Sequence, residues 1–474
     1  MRRLFYAFFV FFLFVGCTPG LVGHQPRPDE LTFPPIKFHF PDVAKQKLEN
    51  GMKVYLREDH ELPLVDVTLM VEGGSIYDPL DKTGLSQLFA RALETGGSFK
   101  FSPEEMEAEL ELKAVKLSVS SSTYCYYIDL SLQRQDLQRV LEILADLIRR
   151  PRFDHERLEL AKEQMLENIH RKNDNPAEIA SRVLAEAVYP GHPFGSYPTI
   201  DGVKTFTRDD LVDLHQRYFQ PENCWLAVSG DVQQADLMNL LDQQFGDWRN
   251  SESFVRDFPL LPPAPEGRIL LADKDIPQTT ILMGHPGISK DNPDAMALQV
   301  ANYILGGGGF NSRMMREVRS NRGLAYSVYS YFQVGRLLPE LFIASSETKC
   351  ASTVEVVKLM RQLMQQMIDE PVSSEELELA KQSLINSFVF AFDNSHSVVS
   401  RKVRLDFYGY PQDYMETYRQ RIAAVTIADV QRVARQYLHP QQLQIVLVGN
   451  SRQYGTEVNE LGLPVETVDL KQAQ

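Results

Sequence analysis

Glu163, Glu167 and His170 are the side chains whose types and spacing come nearest to a metal site. Four and three residues apart, they fall on one face of a helix. Two carboxylates and an imidazole are a donor set that zinc accepts. On an acidic helix, however, such a trio is ordinary solvated surface, and we read it so. Cys125, Cys224 and Cys350 are odd in number and widely spaced. They make neither a disulfide framework nor a C-x-x-C metal knuckle. Cys125 and Cys224 sit in strand-like runs, where a thiol serves as a small hydrophobe. There is no G-x-x-x-x-G-K-[ST] phosphate loop, no basic run and no RNP-like string. The formal net charge of −14 argues against a nucleic-acid or anionic-membrane partner.

The elements that would position any chemistry begin after a targeting segment. Arg2 and Arg3 precede an uncharged, Phe-rich run that is too short to span a bilayer. It closes on Phe14-Val15-Gly16-Cys17, which resembles the lipobox of bacterial lipoproteins, with Cys17 as the acylated residue. Thr18 follows, with no aspartate to retain the protein at an inner membrane. The expected place is therefore the cell envelope, lipid-anchored at the outer membrane and facing the periplasm. Residues 18–44 carry Pro19, Pro26, Pro28, Pro34, Pro35 and Pro41 and read as an extended tether. Order begins at the Asn50-Gly51 hairpin turn. A strand over 65–74 leads into a helix over 84–93, and a second helix covers 103–112. Strands at 115–119 and 124–132 follow. Helices are expected over 135–150, 155–173 and 177–188, and a fourth, capped at Thr207, reaches residue 219. A strand at 225–230, a helix to about 245 and a proline-rich linker at 256–265 complete the first half.

The chain then repeats itself. Leu158-Glu159-Leu160-Ala161-Lys162 recurs as Leu377-Glu378-Leu379-Ala380-Lys381. Thr207, Pro221 and Gly230 recur as Thr426, Pro440 and Gly449, and all four pairs share one offset of 219 residues. A constant offset of this kind marks a tandem duplication. The halves are two copies of one α+β domain, 45–255 and 266–460, followed by a tail at 461–474.

Four further strings carry a family resemblance. They are Leu48-Glu49-Asn50-Gly51-Met52-Lys53-Val54; Gly73-Gly74-Ser75-Ile76-Tyr77-Asp78-Pro79 with Lys82-Thr83-Gly84-Leu85; Tyr189-Pro190-Gly191-His192-Pro193-Phe194-Gly195; and Leu305-Gly306-Gly307-Gly308-Gly309-Phe310-Asn311-Ser312-Arg313. Together with the duplication, they make the chain resemble the M16 metallopeptidases: pitrilysin, insulysin and the mitochondrial processing peptidase. The short, two-domain form is similar to the bacterial M16B branch. The resemblance implies two tandem copies of a β-sheet covered by helices, forming half of a clamshell. Active members hold zinc through both histidines of His-x-x-Glu-His and a glutamate on the next long helix. The first glutamate of the motif is the general base. Here the motif positions are Gln87, Ala90 and Arg91, and the distant ligand position falls on Glu167. Gln is a poor zinc ligand, Arg91 puts a fixed positive charge where a dication would sit, and Ala90 cannot accept a proton. No zinc and no hydrolysis are expected at this site. An ion pair between Arg91 and Glu167 is one way to fill it; a solvated Glu167 is the other.

The family's second element is an arginine and a tyrosine seven residues apart, which bind the substrate carbonyl and stabilise the oxyanion. The resemblance carries these roles onto Arg319 and Tyr326. Loss of the metal motif with retention of this pair resembles the zinc-less subunit of an M16B heterodimer. Such a subunit lends its C-terminal half to a zinc-bearing partner with intact His-x-x-Glu-His. The substrate would be a peptide or unfolded polypeptide, bound by strand addition to an open sheet edge. It would be a basic peptide only if the chain's acids line the chamber. The rival reading is a homodimeric, non-enzymatic peptide-binding or assembly scaffold in the cell envelope. A peptidase built on another metal set finds no second ligand cluster.

Overall fold

The computed structural model describes residues 39–249 and 255–470. The targeting segment with Cys17 and most of the tether lie outside the described residues. No helix among the described residues is long and apolar enough to cross a membrane.

The first element among the described residues is the expected hairpin. Strand β1 (Ala44–Lys47) pairs antiparallel with β2 (Lys53–Glu58). Gly51 takes a φ of 101°, which its missing Cβ permits. Strands β3 (Leu64–Glu72), β4 (Lys116–Ser121), β5 (Cys125–Gln133) and β6 (Cys224–Gly230) complete a six-stranded sheet of order β1-β2-β6-β3-β5-β4. The second half supplies β7 (Arg268–Asp273), β8 (Gln278–Pro286), the short β9 (Ile288–Ser289), β10 (Ala325–Phe332), the short β11 (Val334–Gly335), β12 (Leu341–Lys349), β13 (Gln444–Gly449) and β14 (Val465–Thr467). Its main sheet runs β10-β12-β8-β13-β7-β14, and β9 pairs with β11 apart from it.

The duplication is visible strand by strand. The run β2-β6-β3-β5-β4 recurs as β7-β13-β8-β12-β10, with parallel β2/β6 matching parallel β7/β13. Only the sixth strands differ in origin. Thr207 and Thr426, 219 residues apart, cap equivalent helices with equivalent capping boxes to Asp210 and Asp429. The expected α+β class with a duplicated domain therefore holds.

One pair of repeated helices crosses between the copies. Helix Pro176–Val188 buries Ala180, Leu184 and Val188 against Leu282, Ile343 and Val446 of the second sheet. Its copy, Ser395–Tyr408, buries Val399, Val403 and Phe407 in the core of the first sheet. The three positions correspond at the offset of 219. Each sheet is thus closed by a helix from the other half. A buried ion cluster adds to this exchange. Glu72, at the end of β3, is fully buried and holds Arg256 at 2.6 and 2.7 Å and Arg336 at 2.7 Å. Arg256 follows the first copy and Arg336 belongs to the second, so one carboxylate ties both to the first sheet. Burial pushes the Glu72 carboxyl up, but the two guanidiniums more than offset that and hold it below the ordinary glutamate value.

Candidate functional site

Helix Leu85–Thr95 is set by its apolar stripe and its cap. Leu85, Leu88, Phe89, Ala92 and Leu93 are buried at helical spacing. Gly84 turns into the helix at φ 93°, where an added Cβ would meet the Met165 methyl at 2.6 Å. Buried Asp78 accepts the backbone N–H groups of Gly84 and Ser86, each at 3.1 Å, and the Ser86 hydroxyl. Burial pushes its carboxyl up to about 6.

Of the motif positions, Gln87 is exposed and faces a cavity, Ala90 is buried under the helix, and Arg91 is exposed. Arg91 does not meet Glu167. Its guanidinium lies 3.2 Å from Glu94, one turn along its own helix. Glu167 is exposed on helix His155–His170, as are Glu163 and His170. Of the two alternatives for this position, the structure has the solvated Glu167 and not the Arg91–Glu167 pair. Residues three apart on a helix are neighbours, and Glu94 is the nearer carboxylate. Glu94 also accepts the Val119 N–H of edge strand β4 at 3.4 Å, so the arginine position and the sheet edge are joined by one side chain. An amide, a methyl and a guanidinium do not fit zinc. Among the described residues, no group of three or more His, Cys, Asp or Glu is placed to hold a metal ion.

Arg319 and Tyr326 are brought together. Arg319 lies on a π-helical segment, Met315–Asn321, anchored by buried Met315 and Val318. The Arg313 fork holds this region to Glu376 at 2.7 and 2.8 Å. Gly323, at φ 64°, turns the chain back into β10. That turn lays the Tyr326 ring 4.4 Å from the Arg319 guanidinium carbon, and Phe310 stacks from another side at 4.7 Å. Tyr326 is 81% exposed and Phe310 65%. Sequence reasoning missed Phe310, although it stands in the glycine-rich string. Among the described residues strand β10 pairs with β12 alone, and on its outer edge the Asn302 amide already occupies the Ser330 carbonyl at 2.9 Å.

The cavity that Gln87 faces has a volume of about 610 Å³ and lies between the opening helix, helix Pro176–Val188 and the second sheet. Ser327, Tyr329 and Tyr331 of β10 line it, but Arg319 and Tyr326 do not. Three carboxylates line it as well, Asp78, Glu340 and Glu347, and no lysine, arginine or histidine does. Burial raises the Glu340 carboxyl above its ordinary value. Carboxylates therefore line this cavity of the single chain, a point on which the linear sequence is silent.

A duplicated α+β protein with a helix that lacks metal ligands and a stacked arginine–tyrosine pair is the class that fold and site define. Residues 53–198 match the family of insulinase-type M16 peptidases, and residues 205–384 match the domain described as the peptidase M16 inactive domain. The chain is 23% identical over 409 residues to the "non-peptidase homolog YmxG" of Helicobacter pylori, covering 84% of this chain and 92% of that one. It is 28% identical over 345 residues to the "uncharacterized zinc protease ML0855" of Mycobacterium leprae, covering 69% and 73%. A crystal structure described as the peptidase M16 inactive domain from Pseudomonas fluorescens superposes with a TM-score of 0.78 at 24% identity, over 86% of this chain and 98% of that one. The chain belongs to the M16 peptidase family and lacks the family's zinc motif.

Proposed function

We propose that this protein is a non-catalytic, zinc-less subunit of an M16B-type peptidase, supplying Arg319 and Tyr326 to a zinc-bearing partner. The observation that carries the reading is the stacked Arg319–Tyr326 pair. Tyr326 is exposed and Arg319 half-buried against its ring, at the edge strand β10 and outside the cavity that the chain's own motif helix faces. A guanidinium and a phenol are donors suited to a developing oxyanion, and they act only where a metal-bound water is supplied. This chain has no base at Ala90 and a cation at Arg91, so the water belongs to the partner. Edge strand β10 offers backbone groups for strand addition by a peptide. The carboxylates of the neighbouring cavity favour a peptide carrying positive charge. The segment ending at Cys17 supports a lipid-anchored place in the cell envelope.

Co-expression with a paralogue that retains His-x-x-Glu-His tests this. The two chains are expected to co-elute on affinity purification, with zinc in the paralogue alone, and the mixture to hydrolyse a basic peptide faster than the paralogue does. Separate elution with unchanged hydrolysis would sink the reading, and zinc bound one-to-one to this chain alone would overturn the interpretation of Gln87 and Arg91.

A further inference from the structure

The cavity beside helix Pro176–Val188 has a twin. Ala177, Ser181, Ala185 and Tyr189 form one helical stripe along its wall. Their counterparts 219 residues on, His396, Ser400, Arg404 and Tyr408, line a second cavity of about 1030 Å³ beneath helix Ser395–Tyr408. Its floor is the first sheet, with Thr68 and Met70 of β3 and Tyr127 and Asp129 of β5. Thr280 and Leu282 of β8 and Ile343 and Ser345 of β12 do the same in the first cavity. One duplicated architecture has made two chambers.

Their chemistry has diverged. The first chamber has carboxylates and no cation; the second carries Arg401 and Arg404. Neither guanidinium forms an ion pair among the described residues. They sit instead at 5.4 Å from the Phe392 ring and 5.5 Å from the Tyr408 ring. Partial burial, and then the charge of Arg404, hold Arg401 below its ordinary value, whereas for Arg404 partial burial is more than offset by the Tyr408 and Tyr127 phenols, and its value is raised. Two carboxylates line the same chamber: Asp129, which accepts the Thr68 hydroxyl at 2.5 Å, and Asp393, which accepts the Asn394 amide at 3.0 Å; neither forms an ion pair with Arg401 or Arg404 among the described residues. His396 is held by Ser229, Ser400 and Thr68 at 2.9 to 3.1 Å, and burial keeps it below the ordinary imidazole value, so it adds no charge at neutral pH. Both side chains are exposed on the cavity wall, three residues apart on one helix, where their guanidinium N–H groups can give charge-assisted hydrogen bonds to a bound carboxylate. Tyr410, Tyr414 and Tyr418 supply an aromatic wall next to them.

We propose that this second chamber binds an organic carboxylate with an aromatic or aliphatic body, the C-terminal residue of a peptide, with Arg401 and Arg404 on the carboxylate and the tyrosines around the side chain. That the carboxylate ends a peptide rests on the reading given above; the preference for a carboxylate does not. Calorimetry on the full chain, without any partner, tests it with N-acetylphenylalanine and its amide as probes. The free acid is expected to bind at least about tenfold more tightly than the amide, the loss of one charge-assisted contact. Arg401→Gln combined with Arg404→Gln should remove that difference, whereas Gln87→Ala in the twin chamber should leave it intact. Equal binding of acid and amide, or no binding of either, overturns the proposal. So does displacement of the acid by equimolar inorganic phosphate, which would make the site one for phosphate. Should the double variant melt early, the acid–amide comparison on the native chain decides alone. Because no partner is present, a failed complementation assay leaves this result standing, and the reverse holds too.

Discussion

Leu184 and Val403 occupy the same position in two copies of one helix, and each is buried against the sheet of the opposite half. Neither half can then close its core without the other. Leu184→Ala is expected to cost about 2–5 kcal/mol, the usual penalty for an emptied core position. Both tryptophans, Trp225 and Trp248, lie in the first half, while Leu184 packs in the core of the second sheet. In urea the tryptophan signal should nevertheless shift together with the far-ultraviolet signal, in one transition. An unmoved tryptophan midpoint beside a biphasic far-ultraviolet curve would show that the halves unfold independently.

Glu72 gives the interlock a second, polar test. Its carboxylate is fully buried between Arg256 and Arg336, and Arg336 is itself buried, with its guanidinium 3.8 Å from the Phe407 ring. Removing one partner of a buried pair strands the other charge, at a cost of about 3–5 kcal/mol. Glu72→Gln should therefore destabilise the chain by this order in equilibrium denaturation. Arg256→Gln should cost less, because Arg256 is half exposed. Equal and small effects for both would reduce the cluster to a surface contact.

How far these features could be read in the chain depends on how local they are. The duplication was legible because its landmarks are local: the caps at Thr207 and Thr426 and the strand ends at Gly230 and Gly449 recur at one spacing. The helix exchange was not. An amphipathic pattern over 177–188 says that one face is buried, but not against which of two similar sheets. The loss at Gln87, Ala90 and Arg91 was legible as chemistry, and the partner of Arg91 was not foreseen, although Glu94 stands three residues away and carries the signal. The Glu72–Arg336 contact spans 264 residues and has no sequence signature. The π-helical turn that carries Arg319 likewise follows no propensity rule.

His285 fixes part of the acid response. It is fully buried, its Nδ1 lies 2.8 Å from the Pro286 carbonyl, and its Nε2 accepts the His439 N–H at 3.4 Å. Burial pushes its folded pKa down from 6.5 to about 4. Between those values only the unfolded chain takes up the proton. This contribution is fully present above pH 6.5 and is lost as pH falls towards 4. Asp78, raised to about 6, acts in the opposite sense, because its folded form protonates first. The comparison of native chain with His285→Phe isolates the histidine. The variant should lose less stability than the native chain between pH 7 and pH 4, measured by urea midpoints. Parallel curves for the two proteins would contradict the assignment.

The role of Arg319 is the centre of this account, and turnover by the assembled pair tests it most directly. With a zinc-bearing paralogue as partner, Arg319→Ala in this chain should lower kcat/KM for a basic peptide by about 10²-fold, the scale of one lost oxyanion donor. The two chains should still co-elute, and the thermal midpoint should stay within a few degrees, since Arg319 stacks on two exposed rings and supports no core. A complex of unchanged kcat/KM would contradict the account and return the Arg319–Tyr326 stack to a structural role.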